Sequence, residues 1–228
     1  MDYRTWRAAA ARYVYERAIQ RLVARYRRGR PTLVLLPGGM GSQLDRSLAA
    51  HDPRALPPAR FETMWADVGL LFNQDALTLE IDGRGRDRER HAIVPDGALD
   101  FVVRAYDGTA QFAHDRAWNF VAFGYDWRRD MAEAAAWLEE FLLRYQDAVR
   151  RKHDEDPLPR TTLLGHSQGG LVAKLFLHRI GEPGAWLDKA ITVGAPFYGT
   201  WSHQGRYYVG ERLLNLLHGA RLVARMIG

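Results

Sequence analysis

The chain has 228 residues, 47% of them hydrophobic and 26% charged, with a formal net charge of +5. That length can bury a full core and that composition excludes a disordered chain, while no apolar run is long enough to span a bilayer. Cysteine is absent, which excludes disulfides and thiolate chemistry. All but three of the 32 basic residues are arginine, the exceptions being Lys152, Lys174 and Lys189. They are scattered rather than massed beside aromatics, so nucleic acid is not expected as a partner, and peripheral contact with an anionic lipid surface matches the charge better.

In chain order, residues 1–29 read as an amphipathic helix, with Ile19, Leu22, Val23 and Tyr26 on one face and Arg17, Arg21, Arg25 and Arg28 on the other. The unbroken apolar core of a signal peptide is missing, so the helix is expected to pack on the domain edge rather than lie on a membrane. With neither a leader nor a spanning segment in the sequence, the default expectation for location is the cytoplasm. Thr32–Leu36, after Pro31, is a continuous apolar run and predicts a buried strand. It opens into Pro37-Gly38-Gly39-Met40-Gly41-Ser42-Gln43-Leu44, where close-set glycines mark a near approach to the backbone. The Gly-Lys-Ser/Thr ending of a phosphate-cradling loop is absent, and an oxyanion loop is the better match.

A lid-like excursion is expected around residues 44–75. Its first part, 45–60, carries Pro53, Pro57 and Pro58 and predicts irregular chain. Phe61–Asn73 reads as a short helix with Met64, Trp65, Val68 and Leu71 at helical spacing, either satellite core or part of a lid or acyl-binding surface. Short strands are expected at Leu77–Ile81 and His91–Val94, around a charged turn, Asp82–Arg90, that reads as a solvated tip. A strand follows at Trp118–Phe123, then the clearest helix, Met131–Arg151, with Ala135, Leu138, Phe141, Leu142, Tyr145 and Val149 on one stripe. Beyond the polar link 152–160 come a strand at Thr161–Leu164, a helix ending at Ile180 before Gly181 and Pro183, a strand at Ala190–Val193, and a helix at Glu211–Met226. Strands alternating with helices imply an α/β fold: a mostly parallel sheet with helices on both faces.

The chemistry centres on Gly165-His166-Ser167-Gln168-Gly169. A G-x-S-x-G run placed after a strand and before a helix is the sequence of a nucleophile elbow, in which the turn lifts the serine hydroxyl clear of the sheet. Gly165 and Gly169 flank the serine because side chains there would collide as strand and helix converge. The helix N-terminus supplies N–H groups suited to a developing oxyanion. Only four serines occur, Ser42, Ser47, Ser167 and Ser202, so a chance match in this context is improbable and Ser167 is the expected nucleophile. No His, Asp and Glu grouping has metal-ligand spacing, so neither metal nor cofactor is expected.

Four segments together carry a family resemblance. Pro37–Leu44, Tyr125-Asp126-Trp127-Arg128, Gly165–Gly170 and Ile191-Thr192-Val193-Gly194-Ala195-Pro196-Phe197-Tyr198-Gly199-Thr200 resemble the lecithin:cholesterol acyltransferase-like group of α/β-hydrolases, which includes lysosomal phospholipase A2 and phospholipid:diacylglycerol acyltransferases. The resemblance covers roughly residues 31–200. It implies that Ser167 attacks the ester carbonyl of a lipid and passes the acyl group to water or an alcohol. By position it makes the backbone N–H groups of Gly39 and Gln168 the oxyanion hole. Asp126 and Arg128 read as a structural ion pair. The family's animal members carry a disulfide-stapled lid loop presenting a tryptophan; with no cysteine here, and Trp65 in the comparable stretch, lid behaviour does not transfer.

A serine nucleophile of this fold needs an acid and then a histidine later in the chain. After Ser167 the only aspartate is Asp188, ahead of a strand rather than at its carboxyl end, and the histidines are His178, His203 and His218. His203, in a loop after a strand end, is the least unsuitable base, and Glu211 with His218 would sit two turns apart on one helix. The acid and base are therefore expected beyond residue 228. Residues 31–228 are read as the N-terminal portion of a hydrolase domain whose C-terminal part is missing, a poor catalyst by itself. Two other functions fit the sequence: an esterase of the same fold acting on small soluble esters, and a non-catalytic scaffold that lacks the triad acid and base.

Overall fold

The computed structural model describes residues 1–65, 79–87, 90–99, 106–182 and 187–199. The chain divides into two compact units, one formed by Met1–Ala10, Leu44–Val94 and Phe197–Gly228, the other by Ala11–Gln43 and Pro95–Pro196. The described elements are α1 (Tyr3–Arg25), β1 (Thr32–Leu36), β2 (Ser42–Ala50), β3 (Phe61–Trp65), β4 (His91–Ala98), α2 (Asp107–Asp115), β5 (Asn119–Ala122), α3 (Met131–His153), β6 (Thr161–His166), α4 (Gln168–Ile180) and β7 (Lys189–Val193).

The second unit holds a four-stranded, all-parallel sheet in the order β5-β1-β6-β7. Every residue of β1 is buried, as its unbroken apolar run requires of a strand paired on both sides. The register aligns Leu36 of β1 with Gly165 of β6, and His166 of β6 with Val193 of β7, so the carboxyl ends of three strands lie level. Chain order then fixes the helices. The steps β5 to β6 through α3, and β6 to β7 through α4, run in the same direction across the sheet. Right-handed crossovers place both helices over one face, and α3 and α4 do pack on each other.

α3 follows its sequence closely. Asp130 caps it by accepting the Ala132 N–H at 2.8 Å, Asp154 closes it in the left-handed conformation, and Arg150, Arg151, Lys152 and His153 sit in the last turn. The buried stripe is the expected one with Ala134 added. α1 from Ala11 onward packs beside it. The Tyr15 ring stacks on Phe123 and meets Phe141 edge-on, Arg12 pairs with Glu140, and Ile19 and Val23 are buried. The apolar face of α1 from Ala11 onward is thus used in packing.

In the first unit, β2 and β3 pair antiparallel, with Leu44 opposite Trp65 and Ser47 opposite Phe61, in a three-stranded sheet ordered β3-β2-β4. Two sequence readings are corrected here. Residues 45–50, expected to be irregular, continue β2; only the proline-bearing 51–60 lacks regular structure. Phe61–Trp65, expected to open a helix, is a strand. Met64 and Trp65 are buried while Glu62 and Thr63 are exposed, and Glu62 pairs with Arg46 across the sheet. A few apolar residues fit either period, and aromatic and β-branched composition favours the strand. Residues 66–73 lie outside the described residues. So do 77–78 of the expected 77–81 strand; of its described residues, Ile81 makes a bridge to Asp87. α2 was not anticipated.

Candidate active site

At the carboxyl end of β6 the chain turns through Ser167 with φ 50° and ψ −121° and enters α4 at Gln168. A positive φ is disfavoured for any residue with a β-carbon, and this one persists because its surroundings over-determine it. The Ser167 N–H donates to the Val193 carbonyl at 2.8 Å, locking the turn to β7, and the Gly170 N–H donates to the Ser167 carbonyl at 3.0 Å.

The glycines are obligatory for a steric reason. A β-carbon on Gly169 would lie 2.2 Å from the Leu36 carbonyl oxygen and 2.5 Å from that of Pro37. One on Gly165 would lie 2.7 Å from the Gly170 Cα and 2.8 Å from the Gly169 oxygen. Both clashes are with backbone, which cannot step aside. The helix start is therefore pressed onto the end of β1 as well as β6, which brings the glycine loop after β1 beside the serine.

That loop is close indeed. A β-carbon on Gly38 would lie 3.2 Å from Ser167 Cβ, and one on Gly39 would lie 2.9 Å from the Gln168 side-chain oxygen. Neither the Gly39 N–H nor the Gln168 N–H has a hydrogen-bond acceptor among the described residues. Gly39 is exposed and Gln168 half-buried at the first position of α4, where an N–H has no intrahelical acceptor, so both donors are open to a ligand beside the strained serine.

Two tyrosines hold the loop. The Gly38 N–H donates to the Tyr106 hydroxyl at 2.8 Å, and that hydroxyl lies 3.0 Å from His166 Nδ1. Tyr125 donates its hydroxyl proton to the Pro37 carbonyl at 2.7 Å, while its own N–H donates to Ser42 Oγ at 3.1 Å. Burial pushes both phenols above the ordinary tyrosine value, Tyr125 strongly with Tyr106 nearby as a lesser cause, so each remains a neutral hydroxyl at physiological pH. Neither role is announced by the sequence: Tyr125 belongs to the Tyr-Asp-Trp-Arg motif, which does not by itself point to the loop, and Tyr106 carries no local signal, because its importance arises from a contact made between distant segments.

The remaining sequence candidates separate clearly. Asp126 and Arg128 form a buried bidentate pair, Nε to Oδ1 at 2.8 Å and Nη2 to Oδ2 at 2.7 Å, with Arg129 Nε on the same carboxylate at 3.0 Å. Asp188 sits before β7, at the end opposite Ser167, and its carboxylate pairs with Lys189 at 3.2 Å. His178 lies exposed in the last turn of α4. His203, Glu211 and His218 lie outside the described residues, as does the expected 211–226 helix. Among the described residues no group of three or more His, Asp or Glu could hold a metal ion, and no helix is long and apolar enough to cross a membrane.

A family model for lecithin:cholesterol acyltransferase matches residues 106–211, from Tyr106 through the elbow and β7. Proteins called lysosomal phospholipase A and acyltransferase are similar to the chain: those of Homo sapiens and Canis lupus familiaris are each 24% identical, with 74% and 75% of this chain aligned to 47% and 48% of theirs. The Rattus norvegicus protein of the same name is likewise 24% identical. The chain thus spans about half the length of the curated relatives it matches. Parallel sheet, family model and relatives agree with the resemblance that the motifs carry to the lecithin:cholesterol acyltransferase-like group, and the fold is α/β-hydrolase-like.

Proposed function

We propose that Ser167 is the nucleophile of a lipid acyl-ester hydrolase or O-acyltransferase, with the N–H groups of Gly39 and Gln168 as its oxyanion hole. The observation that carries the reading is the strained serine with the Gly38-Gly39 loop packed against it, the Gly39 and Gln168 N–H groups having no acceptor among the described residues. The names of the relatives, phospholipase A and acyltransferase, support a lipid acyl ester as substrate.

Ser167 Oγ adds to the ester carbonyl, its proton passing to a base, and the carbonyl oxygen takes the negative charge between the two N–H groups. Losing one such donor costs about 2.7–4 kcal/mol of transition-state stabilisation. Collapse breaks the bond to the alcohol, which leaves with the base's proton, and an acyl-serine remains. Water or an acceptor alcohol then attacks that ester, giving free acid or a new ester and restoring Ser167.

The test is stoichiometric labelling of the folded chain with a fluorophosphonate, followed by peptide mapping. The adduct is expected on Ser167 and is expected to vanish in Ser167→Ala; a folded chain labelled on another residue sinks the assignment. Turnover that rises sharply once an ester passes its solubility limit separates a lipid-directed enzyme from one acting on small soluble esters.

A further inference from the structure

The charged turn after Ile81 is more than a solvated tip. Asp82 ties it from within, accepting the Arg84 and Arg86 N–H groups on Oδ1, both at 2.9 Å, and the Arg86 guanidinium on Oδ2 at 2.7 Å. The antiparallel bridge from Ile81 to Asp87 closes it. So fixed, the turn forms one wall of a cavity of about 360 Å³ in the first unit, whose lining also includes Arg4, His51 and Arg90. The volume lies at the small end of the range for ligand pockets, roughly 300–1,000 Å³.

The charge around this cavity is one-sided. Four arginines from three stretches of chain line it, with Asp2 as the only carboxylate in the described lining. Asp2 is already engaged, accepting the Thr5 N–H at 2.8 Å, and Asp82 is matched to Arg86. The guanidinium groups of Arg4, Arg84 and Arg90 make no ion pair among the described residues. Like charges gathered without counter-ions repel, and a multiply charged anion between them removes the repulsion. The planar donor fork of arginine matches the oxygens of a phosphate in particular.

We propose that Arg4, Arg84 and Arg90 bind the phosphate of a phosphate ester. The cavity exceeds what a bare phosphate needs and leaves room for the group esterified to it. The site is independent of the serine chemistry and stands or falls without it.

The test is calorimetric titration of the full chain with inorganic phosphate and with glycerol phosphate at fixed ionic strength. Flotation on phosphatidylcholine vesicles, with and without phosphatidic acid, runs in parallel. Arg84→Gln/Arg90→Gln removes two exposed cations from the site, and Arg25→Gln/Arg28→Gln removes the same charge from exposed positions elsewhere. Melting curves confirm that both variants fold. Saturable binding of glycerol phosphate is expected, weakened at least about tenfold by the first pair and less than about twofold by the second. Capture that requires phosphatidic acid and is lost in the first variant assigns a lipid headgroup; phosphate binding without vesicle capture assigns a soluble phosphate ester. Absence of saturable binding, or equal weakening by both variants, overturns the proposal.

Discussion

The Gly38 N–H donates to the Tyr106 hydroxyl at 2.8 Å, so the glycine loop beside Ser167 hangs from a side chain rather than from the sheet. Tyr106→Phe removes the acceptor and leaves that amide unpaired, a change worth about 1–3 kcal/mol. Because Gly38 adjoins the proposed oxyanion donor Gly39, the loss should appear as reactivity. Fluorophosphonate labelling of Ser167 is expected to slow by about tenfold, with only a modest fall in melting temperature. Labelling at the parental rate would mean that the loop holds its position without Tyr106.

The backbone of Ser167 supports a prediction of opposite signs at neighbouring positions. A residue with a β-carbon held at φ 50° carries strain of about 1–3 kcal/mol. Ser167→Ala keeps the β-carbon and the strain. Ser167→Gly relieves it, less about 0.5–1 kcal/mol for the greater freedom of glycine in the unfolded chain. The glycine variant should therefore be the more stable of the two in urea unfolding by about 1 kcal/mol, although neither can be labelled. At Gly169, where a β-carbon would meet the Leu36 oxygen at 2.2 Å, alanine should destabilise by about 3 kcal/mol. An alanine variant at 167 more stable than the glycine variant would show that the turn is not strained.

These positions also show what the sequence could convey. The elbow was legible because strand, glycines, serine and helix are adjacent in the chain, so local chemistry specifies the turn. The parallel sheet was legible from continuous apolar runs such as Thr32–Leu36, and α3 from its long stripe and caps. Short segments misled. Phe61–Trp65 is too brief to distinguish a period of two from one of 3.6, and its pairing with β2 decides the matter. Tyr106 was invisible for a different reason. Nothing near it in the chain announces that its hydroxyl will accept an N–H from Gly38, since that bond exists only once β1 and α2 have been brought together. The same holds for Arg4 and Arg84, which become neighbours of one cavity only through the fold.

Asp126 tests whether the Tyr-Asp-Trp-Arg segment is structural. Its carboxylate faces the nearly buried guanidiniums of Arg128 and Arg129. Asp126→Asn leaves two buried cations facing a neutral amide, and breaking a buried pair in this way costs about 3–5 kcal/mol. The variant should lose most of its denaturant resistance. At temperatures where it remains folded, Ser167 should label at the parental rate. A stable variant with slowed labelling would instead place Asp126 among the groups that serve the serine.

Alkaline pH should unfold the protein for a reason readable in its core. Burial raises the pKa of Tyr125 and Tyr145; at Tyr3 the Asp87 carboxylate adds to burial, and at Tyr26 burial and then Glu155 push the value to about 12. In the unfolded chain the same phenols titrate near 10. A group whose folded pKa lies above its unfolded one binds its proton more tightly when folded. Its contribution is complete below about pH 10 and disappears as pH rises through the folded value. Urea midpoints should therefore fall steadily between about pH 10 and pH 12, with tyrosinate absorbance appearing together with unfolding rather than before it. Tyr26→Phe should flatten the part of that slope completed by about pH 12, since its folded and unfolded values bound that window. Tyrosinate absorbance that rises fully near pH 10 while the chain remains folded would show these side chains to be open to water, and the packing of α1 on α3 to be wrong.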